Sequence, residues 1–133
     1  MIRWIPLILI CLLTACTQPA LDPEKDTTPS GAPGYGDITG EQLLALVGTD
    51  TVIVDVRTPE EFASGHIEGA INLPVDQFQR DFASLALDAK KPLAIYCRSG
   101  NRSLVAYQIL VKEGFDKVYH APGVSQYDYP LVQ

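Results

Sequence analysis

The run Pro92-Leu93-Ala94-Ile95-Tyr96-Cys97-Arg98-Ser99-Gly100-Asn101-Arg102-Ser103 decides the fold. Its first five residues are mostly apolar and short enough for a buried strand. After Ser103 comes Leu104-Val105-Ala106-Tyr107-Gln108-Ile109-Leu110, an apolar helical pattern. The pattern predicts a strand, a short polar loop and a helix in immediate succession, with Cys97 at the strand tip. A helix beginning near Ser103 leaves its first N–H groups unpaired and carries a partial positive charge there. Gly100 lets the loop curl so that successive N–H groups converge. Arg98 and Arg102 add two full charges. All three effects favour thiolate over thiol, so Cys97 is expected to have a lowered pKa and to act as a nucleophile.

On either side of this run the chain alternates between the two kinds of element. Thr39 with Gln42 reads as a capping box, Leu43, Leu44, Leu46 and Val47 supply an apolar helical face, and Gly48 marks the stop. Thr51-Val52-Ile53-Val54-Asp55-Val56 is a β-branched run suited to a buried parallel strand. Thr58-Pro59-Glu60-Glu61 reads as a helix start, with Thr58 as cap, proline in the first position and Glu61 returning the cap. Residues 70–73 predict a strand, 76–86 a helix, 115–119 the last strand, and 124–127 a short helical piece. This alternation means an α/β domain around a mainly parallel sheet. Ligand sites in such sheets lie at the carboxyl ends of the strands, where Cys97 and Asp55 both fall.

Two readings of Asp55 stand side by side. It either fixes the cysteine loop by accepting its N–H groups or caps a neighbouring turn. Arg57 is expected to pair with Glu60 or Glu61 as a structural ion pair. His66 reads as turn packing, and the spacing of His120 carries no signal. No glycine-rich phosphate loop, dinucleotide fingerprint or pair of catalytic carboxylates is present.

The 133-residue chain has room for one domain and a tail, and its formal net charge is −6. That balance argues against nucleic acid or an anionic lipid surface as partner. The cationic loop around Cys97 is a local exception that would draw in a small anion.

Residues 1–15 stand apart from the domain. One arginine, Arg3, precedes an almost wholly apolar run from Ile5 to Leu13, too short to span a bilayer, which takes about 20 residues. This is the layout of a secretory signal. Its ending, Leu13-Thr14-Ala15-Cys16, resembles the bacterial lipoprotein box, in which the cysteine is lipidated and becomes the new N-terminus. The resemblance implies cleavage before Cys16 and a protein held to a bacterial membrane, facing the periplasm. Thr17 in the following position lacks the aspartate linked to inner-membrane retention, which favours the outer membrane. An ordinary signal peptide or short anchor is the alternative. Residues 17–36 hold Pro19, Pro23, Pro29, Pro33, Gly31, Gly34 and Gly36 and read as an extended tether. The domain is expected over 37–133, as a monomer.

With Cys11 removed in the signal and Cys16 consumed by lipid, Cys97 is the one thiol left. A lone thiol forms no internal disulfide, and with only two histidines it anchors no structural zinc, so no metal is expected. The mature charge becomes −7, nine Lys and Arg against sixteen Asp and Glu once Arg3 is lost. Function must explain the free thiol.

The cysteine loop, with Asp55-Val56-Arg57-Thr58-Pro59-Glu60-Glu61-Phe62 and Gly65-His66-Ile67-Glu68-Gly69-Ala70-Ile71-Asn72-Leu73-Pro74, closely resembles the rhodanese (sulfurtransferase) family, in the right order and over residues 37–133. The resemblance implies a single rhodanese-like domain with helices on both faces of the sheet. It also implies double-displacement sulfur transfer without a cofactor. Cys97 would take sulfur from a small anionic donor such as thiosulfate and pass it from a persulfide to cyanide or a thiol. The N–H groups of Arg98, Ser99, Gly100, Asn101 and Arg102 would stabilise the persulfide, Arg98 and Arg102 would hold the donor, and Asp55 and Ser103 would support the loop. Related phosphatases and arsenate reductases carry an arginine six residues after the cysteine; here that position is Ser103, and the loop to Arg102 makes a cradle sized for one sulfur atom. A sulfur carrier or a binding module without turnover is the other alternative. The family's usual Gly-Gly pair and Trp are replaced by Pro122-Gly123 and Tyr127.

Overall fold

The computed structural model describes residues 36–133. They run β1 (Gly36–Asp37), α1 (Gly40–Leu46), β2 (Val52–Asp55), α2 (Pro59–Ser64), β3 (His66–Ile67), β4 (Ile71–Asn72) and α3 (Phe78–Asp81). A 3₁₀ turn (Phe82–Leu85), β5 (Leu93–Tyr96), α4 (Asn101–Lys112), β6 (Val118–His120) and β7 (Leu131–Val132) complete the order. Five strands form one parallel sheet in the order β1-β6-β5-β2-β4. β5, the strand that leads to Cys97, is central and lies between β6 and β2. The fold is therefore α/β around a five-stranded parallel sheet, with β3 and β7 forming a separate two-stranded sheet.

Alternation along the strands builds two cores, because successive side chains point to opposite faces. Val54 of β2 and Leu93 and Ile95 of β5 face Phe78, Phe82, Ala106, Leu110 and Phe115, the side covered by α3 and α4. Ile53, Ala94 and Tyr96 face Leu43, with Leu44 and Leu46 of α1 packed against them. Helices thus cover both faces, and all four residues of β5 are buried. Fully burying a Leu or Ile side chain contributes roughly 1.5–3 kcal/mol, which fixes the position of the strand tip.

Both capping boxes form. Thr39 caps α1 with Gln42 returning the bond, and Thr58 caps α2 with Pro59 in the first turn and Glu61 returning the bond. The helix expected over 76–86 is two short pieces, a single turn of α-helix followed by a 3₁₀ turn. Residues 124–127 form a hydrogen-bonded turn, with Gln126 and Tyr127 both donating to Gly123 O, and not a helix. The sequence pattern also missed β7, which pairs antiparallel with β3 through Ile67 opposite Leu131. Two-residue strands carry too little alternation to be read. Gly36, assigned to the tether, lies in β1 and pairs with Tyr119. The proposed signal, Cys16 and the rest of the tether lie outside the described residues. Among the described residues, no helix is long and apolar enough to cross a membrane.

Candidate active site

Cys97 follows the last residue of the central strand and is wholly buried as a residue. Gly100 turns the chain with φ +90°, a left-handed conformation that a side chain disfavours, and it stands as the N-cap of α4. The helix therefore opens at Asn101, two residues before the sequence expectation, and its first turn closes on the sulfur. Sγ accepts from Gly100 N–H at 3.1 Å and from the Ser103 hydroxyl at 3.4 Å. Burial pushes the thiol up. The Ser103 hydroxyl and the N–H groups of Ser103, Ser99 and Gly100 together outweigh it, so the thiol lies below its ordinary value.

A second loop holds this one in place. Val124 N–H donates to Cys97 O at 3.0 Å, and Ser125 donates to Arg98 O through its N–H at 2.9 Å and its hydroxyl at 2.7 Å. Gly123 makes the approach possible: a Cβ there would sit 2.1 Å from Arg98 O and 2.6 Å from Ser99 N. The Pro122-Gly123 departure thus keeps its glycine where the two backbones meet. Tyr127 packs with the α1-side core and lies 4.7 Å from the Tyr129 ring.

The three arginines divide. Arg102 is bound by both oxygens of Glu61, at 2.6 and 2.9 Å, so it is committed to an ion pair and does not stand free for a donor as expected. That contact, together with the Thr58 N–H, draws the Glu61 carboxyl down to about 2 against its own desolvation. Glu61 thereby ties the start of α2 to the first turn of α4. Arg57 pairs with Asp55, not with Glu60 or Glu61. The Asp55 carboxylate is buried and accepts Arg57 N–H at 2.9 Å, Nε at 3.0 Å and one terminal nitrogen at 2.7 Å, while that nitrogen also donates to Gly65 O at 2.6 Å. Among the described contacts, Asp55 accepts no N–H from residues 98–102, so it acts on the β2–α2 turn. The shift of partner follows from burial: a charge as enclosed as Arg57 takes the carboxylate that is enclosed with it. Arg98 is exposed and carries no ion pair among the described residues. It lines a cleft of about 280 Å³ with Arg57, Glu61, Ser64, Val124 and Ser125.

The residue that sequence reading missed is His120, at the end of β6. Its Nε2 lies 3.0 Å from Ser103 Oγ and 3.1 Å from Gly100 O, and its Nδ1 lies 2.8 Å from an Asp37 carboxylate oxygen. No spacing signal announces it, because the contact depends on β6 lying beside β5. His66, by contrast, stacks on Phe62 at 3.8 Å and contacts Phe62 O at 3.0 Å, within its own turn. Among the described residues, no group of three or more His, Cys, Asp or Glu is placed to hold a metal ion.

A family model described as the rhodanese-like domain matches residues 39–123, which include the strand, loop and helix around Cys97. The chain belongs to the rhodanese-like domain family. A thiosulfate sulfurtransferase of Pseudomonas entomophila is 40% identical over 86 residues, covering 65% of this chain and 77% of that protein. A solved structure described as a rhodanese with anions, from Escherichia coli, superposes with a TM-score of 0.57 at 31% identity over 62% of this chain and 98% of that one. A tRNA uridine(34) hydroxylase of Photorhabdus laumondii is 37% identical over 95 residues, 64% of this chain but only 27% of that protein. The rhodanese-like domain is thus shared by proteins of different named activities, and the chemistry must be argued from the site.

Proposed function

We propose that this rhodanese-like domain is a sulfurtransferase that carries sulfur as a persulfide on Cys97. The observation that carries the reading is the sulfur itself, accepting Gly100 N–H and the Ser103 hydroxyl at the opening of α4. The Cys97 thiolate attacks the outer sulfur of a donor such as thiosulfate. The S–S bond of the donor breaks, sulfite leaves with the bonding pair, and Cys97 holds a persulfide. Cyanide or a thiol then attacks the outer persulfide sulfur and restores the thiolate, so the cycle needs no oxidant and no cofactor. The N–H groups of residues 98–102 and the Ser103 hydroxyl stabilise the terminal negative charge as an oxyanion hole does. Arg98, on the rim of the cleft, takes the sulfite end of the donor. Arg102 and Asp55 act on the shape of the site through Glu61 and Arg57. The similarity to thiosulfate sulfurtransferases supports the same donor class.

Intact-mass measurement after incubation with thiosulfate tests this reading. One added sulfur atom, discharged by cyanide and absent from Cys97→Ser, is the expected result. No adduct on a folded, alkylatable Cys97 overturns it. The placement of the chain is a separate proposal. The sequence around Cys16 supports an exported, lipid-anchored protein, and loss of palmitate labelling in Cys16→Ala is its test.

A further inference from the structure

The histidine at the end of β6 has more contacts than a packing residue needs. His120 Nδ1 is 2.8 Å from Asp37, Nε2 is 3.0 Å from Ser103 Oγ, and Ser103 Oγ is 3.4 Å from Cys97 Sγ. The four groups form one continuous chain from a surface carboxylate to the buried sulfur, drawn from β1, β6, α4 and the cysteine loop. Asp37 has only acceptors to offer, so Nδ1 carries a hydrogen in this contact. Ser103 has a single hydroxyl hydrogen and three groups in reach, Sγ, His120 Nε2 and Gly100 O at 3.0 Å. Where that hydrogen points decides how many donors the sulfur receives.

We infer that His120, anchored by Asp37, is a positioning residue that draws the Cys97 proton away through the Ser103 hydroxyl. With Cys97 as a thiol, S–H points to Ser103 Oγ, and the serine hydrogen points to a bare Nε2 lone pair. One concerted shift reverses both bonds. The thiol proton moves to Oγ as the serine proton moves to Nε2. The products are a thiolate that accepts from the hydroxyl and an imidazolium that donates to Oγ and Gly100 O. One proton crosses, no electron changes hands, and Asp37 faces a donor throughout. Asp37 from β1, Tyr107 from α4 with its ring 6.1 Å away, and Cys97 through Ser103 are the titratable groups that the structure sets against His120. The imidazolium, like Arg102 with Glu61, is paired with a carboxylate, and it differs from Arg102 in reaching the sulfur through a hydrogen bond.

The inference rests on Cys97 being the nucleophile of the proposed reaction, and its test does not require that reaction. The rate of alkylation of Cys97 by iodoacetamide is followed against pH in the full chain, its His120→Gln and Asp37→Asn variants, each checked for folding by circular dichroism. Coupled groups titrate in macroscopic steps that belong to the pair. The parent is expected to show two steps, with a thiolate already reactive in the lower one. His120→Gln is expected to show one step at higher pH, and about tenfold slower alkylation near pH 6, the equivalent of one pKa unit. Asp37→Asn is expected to shift the profile in the same direction by less; Asp37 is almost fully exposed, so that variant keeps the test open should His120→Gln misfold. Profiles unchanged in folded variants overturn the relay, even where persulfide still forms. Shifted profiles on a chain that takes no sulfur from thiosulfate support the relay and sink the sulfurtransferase reading instead.

Discussion

Replacing Gly123 by alanine isolates the contact on which the shape of the cysteine loop depends. The added carbon would stand 2.1 Å from Arg98 O and 2.2 Å from Arg98 C, both backbone atoms that no rotamer change can move. Carbon contacts settle at roughly 3.5–4.0 Å, so the two loops must part by more than about 1 Å. Overpacking of this kind costs about 1–3 kcal/mol. Parting also strains the bonds from Val124 N–H to Cys97 O and from Ser125 to Arg98 O, each contributing about 1 kcal/mol. A loss of about 3 kcal/mol in urea unfolding is therefore expected. The catalytic loss is expected to be of similar size in free energy. A displacement of about 1 Å in the N–H groups that hold the sulfur can lower the rate about a hundredfold. Thiocyanate formation from thiosulfate and cyanide measures it. Ser125→Ala supplies the graded comparison, since it removes only the 2.7 Å hydroxyl bond and is expected to cost about 1 kcal/mol with a small change in rate. An alanine variant within about 0.5 kcal/mol of the parent and equally active would refute the idea that the 122–125 loop shapes the site.

Three further perturbations separate the arginines. Arg98→Ala is expected to raise KM for thiosulfate about tenfold with kcat nearly unchanged, the pattern of uniform binding, and the difference should shrink at high salt; an unchanged KM removes Arg98 from the donor site. Glu61 is depressed to about 2 from 4.5, so its stabilising contribution is complete above the unfolded value and fades as pH falls from about 4.5 towards 2. Because both partners are part-exposed, Glu61→Gln should cost only about 1 kcal/mol near neutrality, with the gap to the parent closing in that acid interval; urea unfolding across this range that shows a constant gap contradicts the pairing. Asp55→Asn leaves the Arg57 guanidinium buried without its counter-charge and should cost about 3–5 kcal/mol of unfolding free energy, whereas a loss below about 1 kcal/mol would mean that Arg57 finds water in the cleft.

Local chemistry was readable in the sequence, and contacts between distant segments were not. Both caps, the proline start of α2 and the strand–loop–helix around Cys97 depend on residues within a few positions of one another, and the pattern placed each to within two residues. The arginine partners differ from the expected ones for two reasons: Asp55, only two positions from Arg57, is enclosed with it, and Glu61 is drawn away by a residue distant in sequence. Burial decides the first pairing, and the fold decides the second by bringing Arg102 to Glu61 across 41 positions. His120 escaped the sequence reading, and Gly123 was singled out there only through the family resemblance. Their roles exist only once β6 lies beside β5 and the chain returns over the cysteine loop.

This pairing changes how an acidic chain attracts an anion. Three arginines stand in or near the site, which would suggest a strongly cationic pocket. Asp55 neutralises Arg57 and Glu61 neutralises Arg102, so Arg98 alone offers an unpaired full charge on the cleft rim among the described residues. A single exposed guanidinium in water is screened within roughly 8 Å at physiological ionic strength and gives little discrimination among anions. Selectivity must then come from the cysteine loop, where fixed N–H groups beside the buried sulfur act with little screening. There Gly100 N–H and the Ser103 hydroxyl converge on Sγ, while Arg102 is held by Glu61. In the proposed reaction the two ends of thiosulfate are therefore read separately, the charged sulfonate weakly by the exposed Arg98 and the outer sulfur by the fixed donors around Sγ.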